Sequence, residues 1–229
     1  MTHRLAVIER SLVPYQTALA WQRDLAQARI EGRTDRDVLV LLEHPPVLTC
    51  GRATRPEHLL DPGGIDVVSV ERGGDVTYHG PGQLVGYPIV DLRAHRPDLH
   101  WYLRALEDVL VDAVRALGVP AGVRRPHTGV WTRGRKIASI GVHVKQWVTW
   151  HGFALNVTTD LDAFRRIVPC GLAGIAMTSL AREGGGRPGG PPLWRAARDA
   201  VIAAFARRFD AEVLTPAADG EPAGGAVRG

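Results

Sequence analysis

The sequence predicts an α+β fold, a mixed and largely antiparallel sheet flanked by helices, within a single domain over residues 1–215. Three observations lead there. Strand-like runs at 128–132, 135–144 and 148–157 follow one another closely enough to form an antiparallel meander, with Arg133-Gly134 at its first turn. Two helical periodicities stand apart from the meander, Leu103, Leu106, Leu110, Val114 and Leu117 within 98–117, and Trp194, Ala197, Val201, Phe205 and Phe209 near the end. No repeat or interdomain linker divides the 229 residues.

The remaining elements follow in order. Residues 4–9 alternate as a strand does, and Pro14 then opens a helix that carries Ala18, Trp21, Leu25 and Ala28 on one face and stops at Gly32. The apolar run 38–42 is a buried strand. Its exit, Glu43-His44-Pro45-Pro46, is a rigid turn, because each proline fixes its own φ and restricts the residue before it. After a loop through Pro56, Pro62 and Gly63-Gly64, residues 66–71 and 75–79 read as two short strands joined across Gly73-Gly74. A third strand covers 83–92, and Gly118 ends the helix at 98–117. A short helix at 162–167 precedes Cys170. Residues 184–192 form a Gly/Pro-rich loop, and 216–229 lack periodicity and are expected to be a disordered tail.

Composition excludes several classes of function. The N-terminal segment has no apolar signal region, and the longest aliphatic run, Val38 to Leu42, is too short to span a bilayer, so a cytoplasmic protein without a membrane partner is expected. The two cysteines, Cys50 and Cys170, show no metal-binding spacing and are expected as free thiols, with no metal site. Net charge is +4, with basic pairs spread along the chain, which argues against nucleic acid and fits an acidic protein partner or plain solvation equally well.

The candidates for chemistry begin with a scarcity. Of 28 basic side chains all but Lys136 and Lys145 are arginine. At strand period Lys136 shares a face with Ala138, Ile140, Val142 and Val144, with Lys145 on the opposite face, so an ammonium heads an apolar stripe. A lysine against apolar surface can be tuned as a base, where arginine stays protonated; the plain alternative is a strand-end lysine that snorkels to water. Cys170, between Pro169 and Gly171, sits where an irregular turn can present a nucleophile, although a buried free cysteine often only packs. Residues 72–83, Arg72-Gly73-Gly74-Asp75-Val76-Thr77-Tyr78-His79-Gly80-Pro81-Gly82-Gln83, hold four glycines and a proline, which fits a ligand-binding loop or a pair of tight turns. No Gly-Lys-Ser/Thr follows, so it is not a P-loop. His79, His143 and His151 could each assist proton transfer but rank below Lys136, and the role of Asn156 stays open.

Read together, the Arg72–Leu84 loop, Lys136-Ile137-Ala138-Ser139-Ile140-Gly141, His151-Gly152-Phe153-Ala154-Leu155-Asn156 and Pro169-Cys170-Gly171 resemble, in order, the motifs of the lipoyl(octanoyl) transferase family. Glu43-His44-Pro45-Pro46 with Gly51-Arg52 is similar to that family's N-terminal signature. The resemblance implies a fold like the catalytic domain of lipoate-protein and biotin-protein ligases. It implies a transferase that takes octanoyl from acyl carrier protein, through a cysteine thioester, to a lysine of a lipoyl domain in 2-oxoacid dehydrogenase complexes or the glycine cleavage H protein. It also implies a monomer without cofactor. Cys170 would accept the acyl group with Lys136 as partner. Arg72, Gly73, Gly74, Asp75, Val76, Thr77, Tyr78, His79, Ser139, Ile140, Gly141, Gly152, Phe153 and Ala154 would line the acyl channel. Cys50 and the 184–192 loop depart from the family's pattern without touching a motif. An ATP-dependent lipoate ligase, an amidotransferase between lipoyl domains and a non-catalytic carrier-binding module are the rival readings.

Overall fold

The computed structural model describes residues 3–172, 174–186, 190 and 192–214, so the expected tail at 216–229, the domain limit at 215 and part of the 184–192 loop lie outside the described residues. The main sheet has eight strands: β1 (His3–Leu12), β2 (Asp37–Glu43), β6 (Gln83–Ile89), β7 (Gly122–Arg124), β8 (His127–Thr132), β9 (Arg135–Lys145), β10 (Val148–Asn156) and β11 (Ala211–Leu214). Their order is β11-β1-β2-β6-β10-β9-β8-β7. Only β11-β1 and β1-β2 are parallel, as the mixed, largely antiparallel prediction requires. A small second sheet, β4-β3-β5, is made of β3 (Val47–Cys50), β4 (Asp66–Ser69) and β5 (Thr77–His79).

The main sheet is buried on both faces, which explains why its central strands read as continuous apolar runs. Leu39, Leu41, Leu84, Phe153 and Leu155 face a core shared with α2 (Leu99–Ala116) and α3 (Leu193–Arg208). The alternate residues Val38, Val40, Leu42, Val85, Tyr87 and Ala154 face α1 (Tyr15–Ile30). In α2 the Asp98 carboxylate accepts a hydrogen bond from the Trp101 amide at 3.0 Å, capping the first turn, and Gly118 at φ 83° lets the chain leave the last. The meander closes at Arg133-Gly134 and Gln146-Trp147, two pairs with positive φ that match strand twist.

Two expectations change. The buried stripe of α1 is Tyr15, Ala18, Leu19, Gln22 and Ala26, while Trp21 is 37% exposed. The reason is a polar residue turned inward: Gln22 Oε1 accepts a hydrogen bond from the His151 amide at 2.9 Å, which rotates the helix away from the simple apolar face. The strands around Gly73-Gly74 also do not pair with each other. Each pairs with β3 instead, β4 in parallel and β5 antiparallel, because the Gly73 amide is drawn to Val142 O of β9 at 2.9 Å.

On β6, Gly86 lies directly opposite Phe153, and a Cβ there would run into the Phe153 ring. Gly86→Ala is expected to cost about 1–3 kcal/mol through overpacking, read as a lower urea midpoint with an unchanged slope.

Candidate active site

The site lies between the main sheet, the N-terminal turn of α1 and the small sheet, around a cavity of about 190 Å³. At one end Lys136 Nζ donates to Cys170 Sγ at 3.0 Å, and Ser139 Oγ lies 3.8 Å from the same sulfur.

Strand alternation alone does not deliver this geometry. Val130 pairs with Ala138 and the next residue, Trp131, pairs with Lys136, so β9 carries one extra residue, Ile137, as a β-bulge. Ile137 and Ala138 both enter the α2–α3 core. Lys136 is thereby turned to the side that holds Ser139. It does not share a face with Ala138, Ile140, Val142 and Val144 as strand period predicts, and Lys145 falls on its face by parity, exposed at the far end of the strand.

Lys136 is 2% exposed and has no carboxylate partner among the described residues. Its ammonium lies 5.7 Å from the centre of the Trp131 ring, a cation–π contact. The space it occupies is left by Gly129, where a Cβ would come within 2.7 Å of Lys136 Cε. Gly129 carries no motif signal; the packed lysine, the Ala138 carbonyl 2.8 Å from the same Cβ position and a φ of 131° together explain the glycine.

Cys170 is half-buried in a 3-10 turn, Pro169–Gly171, and its φ of 57° is a left-handed conformation that a non-glycine residue adopts only when its surroundings impose it. Those surroundings are specific. The Cys170 amide donates to Val76 O at 3.1 Å and the Val168 amide to His58 O at 2.8 Å. His58 in turn donates to Asp75 Oδ2 at 2.6 Å, and a Cβ at Gly171 would meet that oxygen at 2.6 Å. The amides of Cys170, Gly171 and Leu172 are all engaged with backbone carbonyls, as is that of Gly73, so these are not free to hold an oxyanion.

Of the expected channel residues, Arg72, Gly74, Asp75, Thr77, His79, Ser139, Ile140, Gly141, Gly152, Phe153 and Ala154 line the cavity. Gly73 is not among its walls. Val76 and Tyr78 point the other way, into a core with Leu48 and Phe164, because β5 alternates. Ile140 and Phe153 belong to the α2–α3 core and only border the cavity. Tyr15, Val85, Tyr87, His127, Thr128 and Leu172 also line it and escape the sequence reading. Val85 and Tyr87 could have been found from their alternation along β6; Tyr15 depends on the rotation of α1.

Arg72 is buried, with no carboxylate partner among the described residues. Its Nη2 donates to Thr49 O and Oγ1 at 2.6 and 2.9 Å, and its Nη1 to Gly73 O and Asp75 O at 3.0 and 2.8 Å, so the guanidinium knots the loop to β3. None of the three candidate histidines touches the sulfur. Burial, with help from nearby His44, pushes His79 down to about 3, and its Nδ1 donates to Gln83 Oε1 at 2.7 Å. His151 is lowered to about 3 by burial despite Glu71 nearby, and His143 is lowered by burial while donating to Glu71 O at 3.1 Å. Bases as weak as His79 and His151 contribute little near neutral pH. Asn156 ties β10 to Gln83 and to Thr178 O, both at 3.0 Å. Cys50 packs against the small sheet's core, and burial raises its thiol.

Fold and cavity together define a catalytic domain of the lipoate-ligase type. A crystal structure of lipoate-protein ligase A bound with ATP superposes with a TM-score of 0.70 at 18% identity, covering 94% of this chain and 90% of that one. The Helicobacter pylori biotin acetyl coenzyme A carboxylase synthetase superposes at 0.50 and 11% identity over 91% and 74%. In sequence, the family described as lipoyl protein ligase A/B catalytic domain matches residues 14–209. An octanoyltransferase of Gloeobacter violaceus is 59% identical over 170 residues, 74% of this chain and 77% of its own. The chain belongs to the lipoyl(octanoyl) transferase family.

Two outcomes test the site. Iodoacetamide at neutral pH is expected to modify Cys170 before Cys50, and Lys136→Met to slow Cys170 by roughly tenfold; peptide mass spectrometry reads both. The second concerns Glu71. Burial alone would raise its carboxyl, but hydrogen bonds from Arg23 and Trp150 outweigh that and hold it at about 2, below the ordinary 4.5. A carboxyl depressed on folding stabilises the protein above pH 4.5 and loses that contribution as pH falls toward 2, so Glu71→Gln should flatten the melting temperature's dependence on pH across this window.

Proposed function

We propose that the protein moves an octanoyl group from octanoyl-acyl carrier protein to a lysine of a lipoyl domain, through a thioester on Cys170. The observation that carries the reading is the 3.0 Å approach of Lys136 Nζ to Cys170 Sγ at the end of the cavity, in a chain whose relatives are octanoyltransferases. Recipients would be the lipoyl domains of 2-oxoacid dehydrogenase complexes and the H protein of glycine cleavage, met by a cytoplasmic monomer; among the described residues no helix is long and apolar enough to cross a membrane.

The chemistry divides into two displacements. Negative charge on Sγ is stabilised by the adjacent ammonium, and the sulfur attacks the carrier thioester carbonyl. The new C–S bond forms on Cys170, the bond to the carrier's sulfur breaks, and the departing thiolate takes a proton from Lys136. A neutral Lys136 remains. The amine of the acceptor lysine then attacks the enzyme thioester and gives its proton to Lys136, the C–N bond forms, and Cys170 leaves as a thiolate paired again with an ammonium. One residue thus serves both halves, and the site returns to its starting charge. With the nearby amides engaged, Ser139 Oγ and Lys136 Nζ are the donors on hand for the tetrahedral oxyanion. Thioester exchange is nearly balanced and amide formation runs downhill, so an activated donor needs no ATP. Along the cavity each buried methylene adds about 0.8 kcal/mol to binding.

Intact mass spectrometry after incubation with octanoyl-acyl carrier protein is expected to show one octanoyl adduct on Cys170, absent in Cys170→Ser and formed more slowly in Lys136→Arg. An adduct that requires ATP would point to a ligase instead, and one on Cys50 would move the nucleophile.

A further inference from the structure

The cavity changes character along its length. At the Cys170 end, Ser139 is paired with Ala154 and Ala154 with Val85, three small side chains abreast on neighbouring strands. Two residues on, a distance of roughly 7 Å at strand rise, Gly141 pairs with Gly152, and Tyr87 follows Val85 on the same face. There a second group of polar side chains forms the walls. Tyr15, Arg72, Tyr87 and His151 converge from α1, the glycine loop, β6 and β10, and all four are buried.

His151 is the most telling of these. It is 1% exposed, it holds φ at 54°, and neither ring nitrogen has a hydrogen-bond partner; the nearest acid, Glu71 Oε2, is 3.8 Å from Nε2. Arg72 Nε is likewise unpartnered, as is the amide nitrogen of Gln22, whose oxygen fixes the His151 backbone. A left-handed histidine with open nitrogens is held at a cost that packing alone does not explain. Tyr87 differs in being satisfied: its hydroxyl donates to His44 Nε2 at 2.6 Å.

We propose that this polar end is the device that limits acyl length, with His151 and Tyr15 as specificity-determining residues; the proposal rests on the octanoyl-transfer reading. These open donors and acceptors are shut off from solvent in the resting site; a small movement of the walls would let water serve them, whereas the methyl end of an acyl chain pressed against them blocks that movement and cannot serve them itself. Up to that point each methylene gains by burial. Beyond it, a further methylene must leave a buried polar group unpaired, and that penalty matches or exceeds what the methylene returns. The chain length at which gain turns to loss is then set by the polar residues and not by a steric wall.

The test compares acyl transfer from octanoyl-, decanoyl- and dodecanoyl-acyl carrier protein in the wild type, Tyr15→Phe and His151→Phe, with melting curves to show that each is folded. Tyr15→Phe keeps the ring and deletes only the hydroxyl, so it retains the test if His151→Phe fails to fold. The ratio of kcat/KM for decanoyl over octanoyl is expected to rise at least about fivefold in a folded variant. A ratio within twofold of wild type in Tyr15→Phe and in any folded His151→Phe, or a shift toward shorter chains, overturns the proposal while octanoyl transfer itself stands. A wild type that forms no octanoyl adduct on Cys170 overturns the transfer reading and the proposal with it.

Discussion

An ammonium buried beside a sulfur governs the rest of this structure. Removing a lysine from water is costly unless something nearby answers its charge, and among the described groups around Lys136 no carboxylate does so. What it has is the Cys170 sulfur at 3.0 Å and the face of Trp131. Each neighbouring irregularity serves that contact. The Ile137 bulge turns the lysine out of the helical core, Gly129 leaves room for its stem, and the left-handed Cys170 brings the sulfur to meet it. Straighten β9 or relax the cysteine, and the two groups separate.

The cysteine's half of the contact is held by elements far away in sequence. Its amide is tied to Val76 O and the preceding turn to His58 O, while Asp75 bridges the two through its carboxylate. Arg72, inside the same loop, is fixed to Thr49. The small sheet is therefore the frame of the cysteine, and the main sheet is the frame of the lysine. The site exists where the two frames meet, which is also where Gly73 binds Val142 O.

This division explains what could be read from the sequence. The sheet-and-helix order was legible because apolar periodicity and Gly/Pro punctuation are local properties. Lys136 and Cys170 stood out through scarcity and through the Pro-Cys-Gly setting, and the family motifs linked them. The orientation of Lys136 was not legible. Strand period places it with Ala138 and Ile140, and a bulge of one residue, visible only in the pairing of Trp131, reverses that. The supposed hairpin at Gly73-Gly74 failed for a similar reason, since the partner of each strand, β3, lies outside the local window. The inward turn of Gln22 depends on a residue 129 positions away.

The buried polar residues in and behind the cavity wall divide by what answers them. His44, His79 and Asn156 are satisfied by neighbours, and burial holds both histidines neutral, so they act as spacers between sheet, loop and helix. Arg72 is largely satisfied by carbonyls and brings a fixed positive charge near the cysteine without competing for a proton. In the proposed reaction that leaves Lys136 as the group in contact with the sulfur whose protonation changes during a turnover. A site with several histidines could pass protons along more than one path. Here burial makes His79 and His151 weak bases, and in the proposed reaction the proton released by the acceptor amine goes to Lys136, which lies against the sulfur. The arginine-rich composition has the same consequence, because an arginine at position 136 would stabilise the thiolate but could not then take that proton.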